Sequence, residues 1–158
     1  MVKEAGKSLK ELMAVKRLLQ LKGRCTEDIY SDLLMEFNGT PYVWGCATPA
    51  ASDCSGSICC VLNTLFNTHR RYTAQVLYMR FFTKIEQTEG IKALFFMEKK
   101  SGNILHVCGE INSSQFMNVS SIERYKCGTV RTLSELEAMY PDFILLERTL
   151  DVGEWCNE

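Results

Sequence analysis

The chain has 158 residues, 46% of them hydrophobic and only three of them proline, which is enough for one domain with a substantial core. A net charge of −1, with both signs interspersed, gives no electrostatic basis for binding nucleic acid or an anionic membrane. Eight cysteines and two histidines show neither zinc-finger spacing nor a Cys-x-x-Cys pair, so neither a metal centre nor a dithiol redox protein is expected.

Lys3 and Glu4 stand near the start and no long apolar run follows. No secretory signal and no membrane span are expected, and free thiols fit a reducing compartment, so the chain reads as cytoplasmic by default. Residues 8–22 place Leu9, Leu12, Met13, Leu18 and Leu19 on one side of an amphipathic helix, with Ser8 as cap and Gly23 as stop. A second helix is predicted over 27–37, capped by Thr26 and ended by Gly39 and Pro41. A turn-rich loop over 39–53 leads into the clearest helix. There Ile58, Val61, Leu62, Leu65 and Phe66 recur at helical spacing, and Cys54, four residues before Ile58, extends the inward stripe. A fourth helix is predicted over about 73–85.

The pattern then changes to short β-rich runs at 91–97, 103–111 and 114–120 with turns between them, an antiparallel meander. A short helix over 132–140, capped by Thr132 or Ser134, and a final strand over 143–150 complete an α+β chain. Residues 1–24 read as a helical extension and 25–158 as the body of one compact domain.

The segment from Gly39 to Gly56 concentrates the chemistry. Cys54 stands at the start of a helix, where partial positive charge and unpaired N–H groups favour thiolate over thiol. A thiolate nucleophile needs a base. His69 lies fifteen positions further on, roughly 22 Å away if the helix continues, too far for proton transfer within it. His106 lies in the alternating strand Ile104-Leu-His-Val-Cys-Gly-Glu110, with Cys108 and Glu110 on its face. The next strand supplies Asn118, an amide that can orient an imidazole. A hairpin with an odd-length loop centred on Asn112 would set His106 directly opposite Asn118; an even loop without a bulge would put them on opposite faces.

Pro41-Tyr-Val-Trp-Gly45, then Asp53-Cys-Ser-Gly56, then His106-Val107 resemble the NlpC-type cell-wall cysteine peptidases. The resemblance covers about residues 27 to 120. It implies a papain-like fold, in which a helix carrying the cysteine packs on an antiparallel sheet carrying the histidine. It implies Cys54 as nucleophile, His106 as general base and Asn118 as the third polar residue, where many relatives have histidine. Tyr42, Trp44, Asp53 and Ser55 fall at oxyanion or substrate-binding positions, and Asp53 also suits a helix cap. Cys46 and Cys108 replace the usual glycines of Trp-Gly-Gly and His-Val-Gly.

The implied substrate is a peptidoglycan stem peptide, or a related muropeptide-like peptide, cleaved between D-γ-glutamate and the following diamino acid, with no cofactor and no metal. Because the cell wall lies outside the cytoplasm, other readings stay open. One is a phage-type tail or lysis hydrolase carried by the virion or delivered to the wall. Another is a papain-like amidase or acyltransferase on a non-wall substrate. A non-catalytic binding module would have no use for the Cys, His and Asn set.

Overall fold

A computed structural model describes residues 8–157. Helix α1 (Leu9–Leu21) is capped by Ser8, whose side chain accepts from the Glu11 N–H. Helix α2 (Thr26–Met35) begins one residue earlier than expected: Cys25 is its N-cap and supplies no side-chain bond, so Thr26 is a first-turn residue rather than the cap. The loop that follows contains a small hairpin of β1 (Ala47–Thr48) and β2 (Ala51–Ser52), too short to register as strand periodicity. Helix α3 (Cys54–Phe66) is capped by Asp53 and ends at Asn67, which adopts the left-handed conformation.

The fourth helix is shorter than its sequence pattern. Helix α4 (Ala74–Val76) runs on into a π-helical turn over Leu77–Phe81 and stops there. Lys84 instead exchanges backbone hydrogen bonds with Thr149, so a tertiary strand contact overrides local helical preference.

The main sheet comprises β3 (Lys92–Glu98), β4 (Ile104–Asn112), β5 (Gln115–Val119), β6 (Gly128–Arg131) and β7 (Phe143–Thr149), in the antiparallel order β6-β5-β4-β3-β7. Strand β6 and helix α6 (Val152–Cys156) lie outside the predicted elements. Helix α5 (Leu133–Met139) carries the expected Thr132 cap, closed into a capping box by Glu135.

Residues on the two faces of the sheet enter two cores. The larger holds Leu33, Leu34, Ile58, Leu62, Phe95 and Val107 between the sheet and helices α2 and α3, and it includes Leu12 of α1. Gly109 of β4 belongs at this junction: an added Cβ would lie 2.6 Å from the Leu34 methyls, so glycine lets the strand and helix approach closely. The smaller core, Leu94, Phe96, Cys108, Phe116, Leu136 and Tyr140, lies under α5 on the other face.

The β4–β5 hairpin differs in detail from its expected register. Gly109 pairs with Met117 and Glu110 with Phe116, then a shift lets Asn112 pair with Gln115. The loop is the even pair Ser113–Ser114, and the extra residue Ile111 forms a bulge. Continuing this register sets Asn118 opposite Cys108, with His106 on the diagonal rather than directly across. The bulge restores the parity that an even loop would break, and His106 and Asn118 still share a face.

Candidate active site

The loop before α3 is tied to the helix start by Asp53. Its Oδ1 accepts from the Gly56 N–H at 2.7 Å and its Oδ2 from the Gly45 N–H at 2.8 Å. Arg71 Nη2 donates to both oxygens, at 2.8 and 2.7 Å, and its Nη1 donates to Ser55 Oγ at 3.0 Å. The Asp53 carboxylate is therefore both the helix cap and the buried half of an ion pair with the more exposed Arg71. Gly56 is required by the same closeness, since an added Cβ would meet the Cys46 carbonyl oxygen. The sequence pattern singled out Asp53 and Ser55 but not Arg71, which lies beyond the end of α3.

Cys54 sits where this locked helix start meets β4. Two cavities meet at it, one of about 460 Å³ toward Arg71 and Thr73 and one of about 320 Å³ toward His106 and Tyr140; Trp44, Cys54 and Leu105 line both. The thiol thus stands midway along a groove. Trp44 is 84% exposed, which leaves its indole free to cover a bound chain. Tyr42 borders the His106 side. Its hydroxyl is held above the usual tyrosine range by burial, with Cys54 and Asp53 adding to the shift, so it remains a protonated donor.

Burial works against the ionisation expected at the helix start. Burial pushes Cys54 up to about 11. The N–H groups of Val107 and Ser55 and the charge of Arg71 pull the other way, but Asp53 opposes them. Desolvation outweighs the helix terminus because the thiolate would lie against the core while the nearest cation is already paired with a carboxylate.

His106 and Cys54 share the cleft without a direct hydrogen bond among the described residues. The ring is held from behind. Its Nε2 is 2.6 Å from Asn118 Oδ1, Tyr140 stacks on it at 5.1 Å and 17°, and Phe96 meets it edge-on at 4.8 Å. Burial lowers the basicity of the ring. The Cys108 sulfur, the Asn118 amide and the charge of Glu123 more than offset this and leave its pKa above the ordinary histidine value. His69 lines a separate cavity with Arg70 and Cys156. All eight cysteines are free thiols, and the described residues contain no cluster of metal-binding side chains.

A sequence profile of the NlpC/P60 family matches residues 39–139, nearly two thirds of the chain. The chain belongs to the NlpC/P60 family. That family is one of cysteine peptidases acting on peptidoglycan. The sequence matches no curated protein. Solved structures share the fold at low identity. NlpC2 from Trichomonas vaginalis is 22% identical with a TM-score of 0.63, the match covering 78% of this chain and 46% of that one. An NLP/P60 protein similar to lipoprotein from Staphylococcus aureus is 22% identical with a TM-score of 0.59, covering 79% and 41%. The NlpC/p60 domain of the peptidoglycan hydrolase SagA is 20% identical with a TM-score of 0.50, covering 71% and 89%. The chain thus spans less than half the length of the Trichomonas and Staphylococcus proteins, and most of a single NlpC/P60 domain.

The papain-like arrangement explains what the family fold supplies to this site. Helix α3 brings a thiol to the sheet, β4 brings an imidazole, and β5 brings the amide behind it. The side chains that sequence reasoning missed are Arg71, Tyr140 and Glu123. Arg71 and Tyr140 reach the site from distant segments and Glu123 from the turn just beyond β5; none of them carries a local signature.

Proposed function

We propose that the protein is a cysteine endopeptidase of peptidoglycan stem peptides, cleaving the bond between D-γ-glutamate and the diamino acid with Cys54, His106 and Asn118. The observation that carries this reading is the 2.6 Å contact between His106 Nε2 and Asn118 Oδ1 in a cleft that also exposes Cys54. Family membership supports it, and so does the shared fold of the peptidoglycan hydrolase SagA.

His106 acts as general base: its Nδ1 takes the thiol proton as Cys54 Sγ attacks the scissile carbonyl carbon. The Cys54 N–H and the Tyr42 hydroxyl donate to the oxyanion, and loss of one such donor typically costs on the order of 100-fold in rate. The imidazolium then gives its proton to the departing amine. Water, deprotonated by the same nitrogen, releases the acyl group from sulfur. Because the thiol is held neutral, the proton leaves as the C–S bond forms rather than beforehand.

The test is incubation with purified sacculi of both diamino-acid types and mass spectrometry of the released fragments. The expected products carry a new diamino-acid amino terminus, and Cys54→Ala releases none while keeping the wild-type circular dichroism spectrum. Release of nothing by the folded wild-type protein, or undiminished release by Cys54→Ala, refutes the reading.

A further inference from the structure

Behind His106 lies a run of buried polar groups that the reaction above leaves unassigned. Asn118 is fully buried and has two chemically different ends. Its Nδ2 donates to Glu123 Oε2 at 2.7 Å, and its Oδ1 faces His106 Nε2. Glu123 is itself only 3% exposed and is held by Arg131, whose Nη2 donates to Oε1 at 2.6 Å and whose Nε donates to Oε2 at 3.0 Å.

An ionised carboxylate accepts hydrogen bonds and donates none. Glu123 therefore admits only the NH₂ end of Asn118. With the amide turned over, Oδ1 would face Glu123 Oε2, and two buried acceptors would oppose each other without a proton between them. The amide so fixed shows His106 Nε2 a carbonyl, which can only accept. The other two groups near Nε2 each have a shorter partner: the Tyr140 hydroxyl, 3.3 Å from Nε2, donates to Ser120 Oγ at 2.8 Å, and the Cys108 thiol, 3.7 Å from Nε2, donates to Asn118 Oδ1 at 3.2 Å. The ring must carry its proton on Nε2, which leaves the Nδ1 lone pair for the thiol.

We propose that Glu123, paired with Arg131, is a positioning residue that sets the tautomer of His106 through the Asn118 amide. This rests on the reading of His106 as the base. It extends the orienting set from one neutral amide to an amide backed by a buried carboxylate. Glu123 lies in the turn between β5 and β6, five residues beyond Asn118, so the orienting pair comes from one short segment.

The chain has two histidines, so a His69→Asn background leaves one imidazole for ¹⁵N-labelled NMR. In that background, at a pH where the ring is neutral, long-range ¹H–¹⁵N spectra should show a single Nε2–H tautomer. Glu123→Met/Arg131→Met removes the buried pair together, a type of replacement that folded proteins often tolerate. It should give both tautomers and lower kcat roughly ten- to a hundredfold with KM little changed, a part of the roughly 100- to 10,000-fold that general acid–base catalysis typically contributes. Glu123→Gln, whose amide can turn either end toward Asn118, should give a partial mixture and serves if the paired variant does not fold. Glu135→Gln removes a contact of Arg131 (3.1 Å) without touching the amide and should keep one tautomer. A single Nε2–H form in either folded Glu123 variant, or an Nδ1–H form in the parent, overturns the proposal. The tautomer is read without substrate, so an ordered ring in a protein that cleaves no peptidoglycan refutes the peptidase reading and leaves this one intact.

Discussion

At Cys54 two expectations of physical chemistry compete, and the structure decides between them. A helix N-terminus stabilises a thiolate by its partial charge, whereas contact with the core destabilises any buried charge. Here burial dominates, and the thiol stands at about 11 beside an imidazole whose pKa lies above the usual value. The resting pair is therefore neutral thiol with neutral or protonated imidazole, and the pH dependence follows from that. A general base works only when unprotonated, so kcat/KM should fall as pH drops through the His106 pKa, with a midpoint above the ordinary histidine value of about 6.5. Above that limb the rate should stay level through about pH 9, because the thiol does not ionise there. A preformed thiolate–imidazolium pair would instead lose activity as the imidazolium deprotonated, giving a bell. A pH series on a soluble muropeptide distinguishes the two, and a bell with its alkaline limb near neutrality would overturn the neutral-pair account. Labelling gives an independent check: iodoacetamide at neutral pH should reach the exposed Cys25 and Cys156 before Cys54, as read by peptide mass spectrometry.

Among the elements, the sequence showed most clearly those whose cause is local. Helix α3 could be read from its apolar spacing, α5 from its cap at Thr132 or Ser134 and the strand order of the hairpin from its turns. The end of α4 could not, because a contact with distant Thr149 sets it; the bulge at Ile111 and the strand β6 could not, because pairing with β5 sets them rather than a periodic pattern of their own. Cys54, His106 and Asn118 were legible because they stand in patterned segments, whereas Arg71 and Glu123 act through ion pairs formed only on folding. The first helix shows the difference between reading an element and reading its place. Its amphipathic stripe marks a helix that could be a detachable extension. In the fold it packs on α2 and α3, with Leu12 fully buried in the main core and Lys16 Nζ donating to the Thr64 carbonyl at 2.8 Å near the end of α3. Leu12→Ala should therefore cost about 2–5 kcal/mol of global stability, as truncation of a core leucine does. Urea denaturation checks this; a change below about 1 kcal/mol would mean that α1 is an appendage that the core does not need.

For the whole molecule, the packing that assembles the site leaves a mismatch elsewhere on the sheet. Strands β4, β3 and β7 lie side by side and bring Glu110, Lys92 and Glu147 together, beside a cavity of about 580 Å³ remote from the thiol. One lysine serves two carboxylates, and Lys92 Nζ stands 3.7 Å from Glu147. Glu110 Oε1 is buried without a hydrogen-bond donor, and the carboxyl, when protonated, shares its proton with Glu147. Burial first, then the neighbouring Glu147, raise the Glu110 carboxyl to about 8, against the partial opposition of Lys92. A carboxyl raised in the fold binds a proton there that the unfolded chain has already released. Between its unfolded value near 4.5 and about 8, the native state thus holds more protons than the unfolded state, and stability falls as pH rises through that window. Glu110→Gln keeps the shape and offers Glu147 an N–H in place of the shared proton. Its stabilising effect should be small near pH 5 and largest at about pH 9, where the native carboxylate is ionised and the full burial penalty applies. Thermal melts of the two proteins across that range test the sign: a gain that is constant with pH, or largest in acid, would show that Glu110 is not the group that weakens the fold in alkali.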